Sequence, residues 1–323
     1  MEASAGGRQS ARCSCGGPAV TFVRYSGAHL CADCFRRFVE ARVRREFYAQ
    51  APLKGGGRIA VALSGGKDSL CALTLLVKLV GARRDVELLA ITVDEGIAGY
   101  RPPSLAAAEG VCRRLGVEHR VVDLRGQVEV SVDEIAARDL AKAPCSYCGV
   151  LRRRALNAEA RAWGADFLAT GHNLDDLAQT VLMSFVRGDL NKLARLAPHS
   201  DPKPGLVRRV LPLRWVPEKE VFLYAMLEGL PIASEQCPHM GRAARGPIKE
   251  MLMALEDAQP GTRHAILRTH ERLRGALEAL VGEGAPPLAA CPRCGEPSLS
   301  GVCQACLLVD EAASSAPGPV RAA

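Results

Sequence analysis

Residues 58–69, Arg58-Ile59-Ala60-Val61-Ala62-Leu63-Ser64-Gly65-Gly66-Lys67-Asp68-Ser69, run from an unbroken apolar stretch into a polar, glycine-rich turn. Arg58 to Leu63 has the length and composition of a strand buried on both faces, and Ser69 to Gly81 carries the apolar spacing of a helix. The turn between them suits an anion. Its glycines let the backbone approach a phosphate closely, the free N–H groups and dipole of the helix start favour negative charge, and Lys67 adds a mobile cation. The Gly-x4-Gly-Lys-Ser spacing of a Walker loop is absent.

Working outward, Glu87 to Asp94, Glu118 to Asp123 and Asp166 to Thr170 are further apolar runs of strand length, and Pro103 to Leu115 has helical spacing. Apolar strands alternating with helices predict an α/β fold with a doubly wound parallel sheet, from about Gly57 to Ser200. Thr262 to Leu280 reads as an amphipathic helix, and Ala312 to Ala323, rich in Ala, Ser and Pro, as a disordered tail. The expected organisation is a small module and basic helix over 1–45, the main α/β domain over 46–285, a second small module over 286–310 and a tail over 311–323.

A chain of 323 residues, 48% hydrophobic and 24% charged, is too apolar for a disordered or fibrous protein and long enough for a sizeable core. The formal net charge of +7 favours an anionic partner such as nucleic acid. No run of 18 apolar residues is present, and Met1 to Gly17 has no apolar signal segment, so a cytoplasmic protein without membrane contact is expected.

Thirteen cysteines in such a chain point to metal or redox chemistry rather than disulfides. At the C-terminal end Cys291-x2-Cys294-x8-Cys303-x2-Cys306, with Gly295 and Gly301 at the turns, is the two-knuckle spacing of a tetrahedral zinc site. At the N-terminal end Cys31-x2-Cys34 is a regular knuckle, but Cys13-x-Cys15 is one residue short, which leaves Cys13 open as a ligand. The alternative for that set is a group of buried small apolar side chains. Cys145, Cys148 and Cys237 lie between the two ends, and a redox disulfide is the alternative for the Cys145-x2-Cys148 pair. Cys71 and Cys112 belong to no group.

The Ser64 to Ser69 loop resembles the PP-loop of ATP pyrophosphatases, which cleave ATP between its α and β phosphates and adenylate a substrate oxygen. From Cys15 to about Leu308 the chain looks like the tRNA 2-thiouridine synthetase branch of that superfamily. The markers are Asp94-Glu95-Gly96-Ile97-Ala98-Gly99-Tyr100-Arg101, Pro144-Cys145-Ser146-Tyr147-Cys148-Gly149-Val150 before an arginine cluster, Thr170-Gly171-His172-Asn173-Leu174-Asp175-Asp176, Glu235-Gln236-Cys237-Pro238 and both terminal cysteine sets.

The resemblance implies a [4Fe-4S] cluster on Cys145, Cys148 and Cys237 with one iron open, and Zn²⁺ in the terminal sets. Three thiolates are one short of a closed four-cysteine site, which agrees with an open metal position. It also implies ATP contacts at Ala62, Ser64, Gly65, Gly66, Lys67, Asp68, Ser69, Val93, Arg152 and Gly171, positions that would sit at the carboxyl ends of parallel strands. Asp68 is the candidate to hold Mg²⁺ or orient the attacking oxygen, and Cys145 and Cys237 are the candidates to manage sulfur. His172 is read as a turn and helix-start element rather than an acid or base.

Arg36, Arg37, Arg42, Arg44 and Arg45 share a helix after the first zinc set, and Arg152, Arg153 and Arg154 follow the central cysteines. Clustered guanidinium groups suit phosphate backbones, and a solvated helix face is the alternative for the first group.

The implied activity is ATP-dependent 2-thiolation of a tRNA uridine, at the wobble position on the resemblance of residues 94–101, 149–153 and 182–189. The expected partners are tRNA, a thiocarboxylated ubiquitin-like carrier or sulfide as sulfur donor, and a second copy or related subunit. The alternatives are T-loop uridine 2-thiolation, a PP-loop ligase that adds an amine and needs no cysteine trio, and a zinc-containing RNA-binding protein without activity.

Overall fold

The computed structural model describes residues 11–128, 130–138, 140, 142–196, 198, 203–232, 237–239, 246–282, 288–299 and 301–314. A hairpin of β1 (Thr21–Val23) and β2 (Ala28–Leu30) leads into the long helix α1 (Ala32–Gln50). Strand and helix then alternate through β3 (Gly57–Ala62), α2 (Lys67–Val80), β4 (Val86–Asp94), α3 (Arg101–Leu115) and β5 (Glu118–Asp123). Two short helices, α4 (Leu124–Val128) and α5 (Val132–Ala136), precede α6 (Pro144–Ala162), β6 (Phe167–Thr170), α7 (Leu174–Val186) and α8 (Leu190–Ala194). β7 (Arg208–Val210), α9 (Glu218–Leu227), α10 (Gly246–Ala258), α11 (Thr262–Gly282), the hairpin β8 (Ala289–Ala290) and β9 (Pro297–Ser298), and α12 (Gln304–Ser314) complete the order.

Strands β3 to β7 form one parallel sheet in the order β5-β4-β3-β6-β7. The chain winds from β3 to one edge and returns to the other, so the order reverses between β3 and β6. Open α/β sheets bind ligands in the crevice outside the carboxyl ends at such a reversal. The four expected strands fall within a residue of their observed bounds. The sheet nevertheless continues past Ser200, because β7 pairs with β6 through Phe167↔Arg208 and Ala169↔Val210. Three residues reading Arg-Arg-Val carry no apolar run, which is why the sequence pattern misses that edge strand.

One face of the sheet is covered by α1, α2, α3 and α9, the other by α4, α5, α6 and α12. On α1 the stripe Phe35, Val39, Val43 and Phe47 recurs every four residues and is fully buried, each large side chain contributing about 1.5–3 kcal/mol before entropy. That helix is one element across residues 45 and 46. Pro102 and Pro103 stand in the first turn of α3, and Gly116 closes it at φ +67°, as expected of helix ends.

The C-terminal module seats on α6. Asn157 Nδ2 donates to Glu296 Oε2 at 2.8 Å and to the Gly205 carbonyl at 3.0 Å, while its Oδ1 accepts from Val207 N–H at 2.9 Å. Arg161 pairs with Glu296 at 2.9 Å, and the Arg138 guanidinium donates to the Ala312 carbonyl. Ala312 is buried, so α12 carries folded chain to Ser314 where a tail was expected from residue 311 or 312; the remainder of that tail, 315–323, lies outside the described residues. Among the described residues no helix is long and apolar enough to cross a membrane.

Substitution Asn157→Leu leaves the buried Val207 N–H without its partner, at a cost of about 1–3 kcal/mol, and removes one bond each from Glu296 and the Gly205 carbonyl, which Arg161 still holds. A lowered denaturant midpoint for unfolding is expected; an unchanged midpoint would show that the module does not depend on this side chain.

Candidate active site

The loop between β3 and α2 is held by its own hydroxyls. Ser69 Oγ donates to the Gly66 carbonyl at 2.9 Å, lies 3.1 Å from Ser64 Oγ and accepts from Ser64 N–H at 3.1 Å. Gly65 has φ +83°, and a Cβ there would overlap the carbonyl oxygen of Ser104 on α3. Gly171, after β6, approaches from the other side: a Cβ would stand 2.8 Å from Ser69 N and 2.9 Å from the Asp68 carbonyl. The sheet register places Ala62 opposite Ile91 and Thr170. Ala62, Val93 and Gly171 therefore lie across three adjacent strand ends around the loop.

Asp68 is fixed by two partners, Lys67 Nζ at 3.0 Å on one oxygen and Asn173 Nδ2 at 3.0 Å on the other. Asn173 also caps α7, accepting from Asp176 N–H at 3.1 Å while its own N–H donates to Asp176 Oδ2 at 3.2 Å, a reciprocal capping box. His172 is exposed, with Nδ1 2.8 Å from Thr170 Oγ1, which agrees with its reading as a turn element. Lys67 reaches Glu218 Oε1 at 3.2 Å as well. Burial works against its charge, yet the carboxylates of Asp68 and Glu218 carry its pKa above the ordinary lysine value. The N–H of Glu218 donates to Asp175 Oδ2 at 2.8 Å, and buried Asp175 pairs with Arg263 at 3.0 Å.

Beyond the end of β4, Glu95 is 2% exposed and pairs with Arg101 Nε at 2.6 Å. Arg101, itself 3% exposed, donates through Nη1 to the Ser64 carbonyl at 3.0 Å and through Nη2 to the Val93 carbonyl. The other oxygen of Glu95 lies 3.4 Å from Arg152 Nη1 on α6. Removing one partner from a buried ion pair of this kind costs about 3–5 kcal/mol, because the remaining charge is left uncompensated.

At the start of α6, Cys145 is exposed and its Sγ donates to the His239 carbonyl at 3.4 Å, while Cys148 and Cys237 are partly buried against one apolar cluster. Burial pushes the Cys148 thiol up to about 11 against the pull of Arg152, with Glu95, Cys145 and Cys237 adding to the rise. The chain thus brings the trio together across about 90 residues of sequence. Glu235 and Gln236 of the Glu235-Gln236-Cys237-Pro238 string lie outside the described residues. Among the described residues the trio does not close to the 4.8 Å spacing of the terminal sets. Three thiols, one short of a closed four-cysteine site and with Arg152 beside Cys148, could hold an anionic metal cluster with one metal position free of protein thiolate.

The terminal sets are tight. The sulfurs of Cys13, Cys15, Cys31 and Cys34 lie within 4.8 Å of one another, as do those of Cys291, Cys294, Cys303 and Cys306. Individual separations of 3.5 Å for Cys15 and Cys31, 3.5 Å for Cys294 and Cys303, and 4.0 Å for Cys291 and Cys306 bracket the about 3.8 Å edge of a tetrahedron with 2.3 Å zinc to sulfur bonds. Cys13 belongs to its set: Gly16 at φ +90° turns the short knuckle, and the N–H of Gly16 donates to the Cys13 carbonyl at 2.8 Å. Backbone N–H groups, of Cys15 in one set and Cys303 in the other, hold the Cys13 and Cys291 thiols down to about 6. Both sets fit zinc.

The basic stretch on α1 divides. Arg36 pairs with Glu228 at 3.1 Å, Arg42 pairs with Glu220 at 3.0 Å and donates to Tyr25 Oη at 2.6 Å, and Arg37 donates to Cys34 Sγ at 3.2 Å. Arg36 and Arg42 are tied to buried or half-buried carboxylates of α9, while Arg37, Arg44 and Arg45 are exposed. Sequence reasoning also assigned no role to Glu95, Arg101, Asn173 or Glu218. Glu95, Arg101 and Asn173 stood within quoted motifs, and only their spatial partners reveal what they do.

A parallel sheet with a glycine-rich anion loop at its reversal point defines a nucleotide-binding α/β domain. Residues 39–253 match the family described as the PP-loop domain, and residues 12–36 match the N-terminal LIM domain of 2-thiouridine synthetase TtuA. The chain is 40% identical over 314 residues to tRNA 2-thiolation protein NcsA of Haloferax volcanii, covering 92% of this chain and 97% of that one. It is 40% identical over 291 residues to cytoplasmic tRNA 2-thiolation protein 1 of Bos taurus, covering 88% and 82%. Among solved structures it resembles the U34-tRNA thiolase NcsA from Methanococcus maripaludis with its [4Fe-4S] cluster, at a TM-score of 0.76 and 37% identity over 82% of this chain and 88% of that one. The chain belongs to the PP-loop family, in the branch of the tRNA 2-thiolation proteins.

Two outcomes follow from this geometry. Gly171→Ala, which forces a methyl group against the backbone of the loop, is expected to weaken ATP-analogue binding at least about tenfold while thermal unfolding stays cooperative; unchanged affinity would contradict the close approach. Metal analysis is expected to find two zinc ions per chain, falling to one in Cys291→Ser, and a single zinc in the unmodified protein would contradict one of the two sets.

Proposed function

We propose that the chain replaces the 2-oxygen of a tRNA uridine, at the wobble position, by sulfur, converting ATP to AMP and pyrophosphate. The observation that carries this reading is the shared crevice, in which Glu95 touches one arginine that holds the anion loop and another beside the cysteine trio. In this reading ATP phosphates lie against the N–H groups of Ser64 to Ser69 and Lys67. Its adenosine follows Ala62, Val93 and Gly171, and Arg152 meets the nucleotide from α6. In the same reading Asp68, oriented by Lys67 and Asn173, would hold Mg²⁺. A uracil oxygen is a poor leaving group and AMP a good one, so adenylation of that oxygen lets sulfur displace it, with the loop's charge stabilising the departing pyrophosphate.

A [4Fe-4S] cluster on Cys145, Cys148 and Cys237 would keep one iron free of protein thiolate and supply a holding point for the incoming sulfur. The three side chains would hold it, and the positive helix start of α6 and Arg152 would offset its negative charge. The wobble uridine is favoured by the name of the 37% identical Methanococcus maripaludis relative, a U34-tRNA thiolase. The partners in this reading are tRNA, a thiocarboxylated carrier or sulfide, and a second copy or related subunit, all in the cytoplasm.

Anaerobic incubation with tRNA, ATP, Mg²⁺ and sulfide is expected to yield AMP, pyrophosphate and 2-thiouridine in the anticodon, measured by nucleoside mass spectrometry. Asp68→Ala should lower AMP formation by about a hundredfold, and Cys145→Ala, Cys148→Ala and Cys237→Ala should each lose thiolation together with the sulfur-to-iron absorption. ADP as product, or full activity in the triple cysteine variant, would overturn the proposal. Thiolation confined to the T-loop would move the target uridine.

A further inference from the structure

We propose that Glu95 is a positioning residue that sets Arg152 and the anion loop from a single buried carboxylate; this deepens the reading above, since it takes Arg152 as a nucleotide contact. Glu95 cannot move freely. It is 2% exposed, Oε2 is 2.6 Å from Arg101 Nε, and its carbonyl accepts from Val132 N–H at 2.9 Å. Arg101 in turn fastens the Ser64 carbonyl at the mouth of the loop and the Val93 carbonyl at the end of β4. Arg152 differs, because its side chain is 45% exposed and Glu95 is the one carboxylate paired with it among the described residues.

Burial works against the Arg152 cation, and the neighbouring Cys148, Glu95 and Tyr100 groups more than offset it. Arg153 is destabilised as a cation by burial and by the charges of Arg209 and Arg152, so three guanidinium groups share this side of α6. A long, half-exposed side chain next to like charges needs a fixed counter-charge to occupy one position, and Oε1 of Glu95 at 3.4 Å supplies it. The two oxygens thereby divide their work, one holding the loop through Arg101 and the other aiming Arg152 into the crevice.

The test is a double-mutant cycle on the full chain, reading the dissociation constant of a non-hydrolysable ATP analogue. Arg152→Gln is expected to weaken binding about tenfold in the unmodified protein and less than about twofold in Glu95→Gln, because Arg152 is already misplaced there. Glu95→Asp keeps the buried negative charge for Arg101 while shortening its reach to both arginines, so it is expected to be more stable than Glu95→Gln and to show the same non-additivity; it carries the test if Glu95→Gln fails to fold. The same tenfold loss on removing Arg152 in both backgrounds, or Glu95 variants that bind the analogue normally, would overturn the inference and leave the proposed activity standing. Failure of the unmodified protein to bind the analogue would overturn both.

Discussion

The arrangement depends on two close backbone approaches that a side chain would prevent. At Gly65 the loop presses on the carbonyl of Ser104, and at Gly171 the turn after β6 presses on the backbone of Asp68 and Ser69. These contacts bring the ends of β3 and β6 and the start of α3 to one place. Once they are set, Asn173 can reach Asp68, and Arg101 can reach the Ser64 carbonyl. Close packing of backbone leaves little room for adjustment, so the polar groups of the crevice are held rather than recruited.

Around that junction the peripheral elements act as fasteners. The N-terminal hairpin is tied to α9 by Tyr25, whose hydroxyl donates to Glu220 Oε1 at 2.5 Å and accepts from Arg42. The first residue of the same α9 is Glu218, the partner of Lys67. At the other end the C-terminal module braces α6 through Asn157 and Arg161, and α6 begins with the Cys145 and Cys148 pair. Each cysteine set thus lies one secondary-structure element away from a part of the crevice. Zinc in these sets would stabilise the scaffold, since binding energy at a site formed only in the folded chain is folding energy.

Much of this was legible in the sequence where the signal is local. The glycine loop, the strands from Arg58 to Thr170 and the terminal knuckles each announce themselves within a few residues, because a phosphate loop, a buried strand and a zinc site all demand fixed short spacings. What stayed hidden depends on partners far away in the chain. Arg36 and Arg42 look like a phosphate-binding face until their carboxylates appear 192 and 178 residues downstream. Glu95 and Arg101 stood within a family motif, but their role is carried by carbonyls and a guanidinium from three other segments. The edge strand β7 escaped notice because its pairing, not its composition, makes it a strand.

The central claim, that the uridine oxygen leaves on AMP at a crevice shared by the loop and the cysteine trio, is tested most directly by isotope transfer. A tRNA carrying heavy oxygen at the 2-position of the target uridine, turned over once with ATP and sulfide, should give AMP that contains the heavy oxygen and a thiolated tRNA that has lost it. Unlabelled AMP formed together with thiolated tRNA would contradict adenylation of that oxygen and with it the chemistry assigned to the crevice.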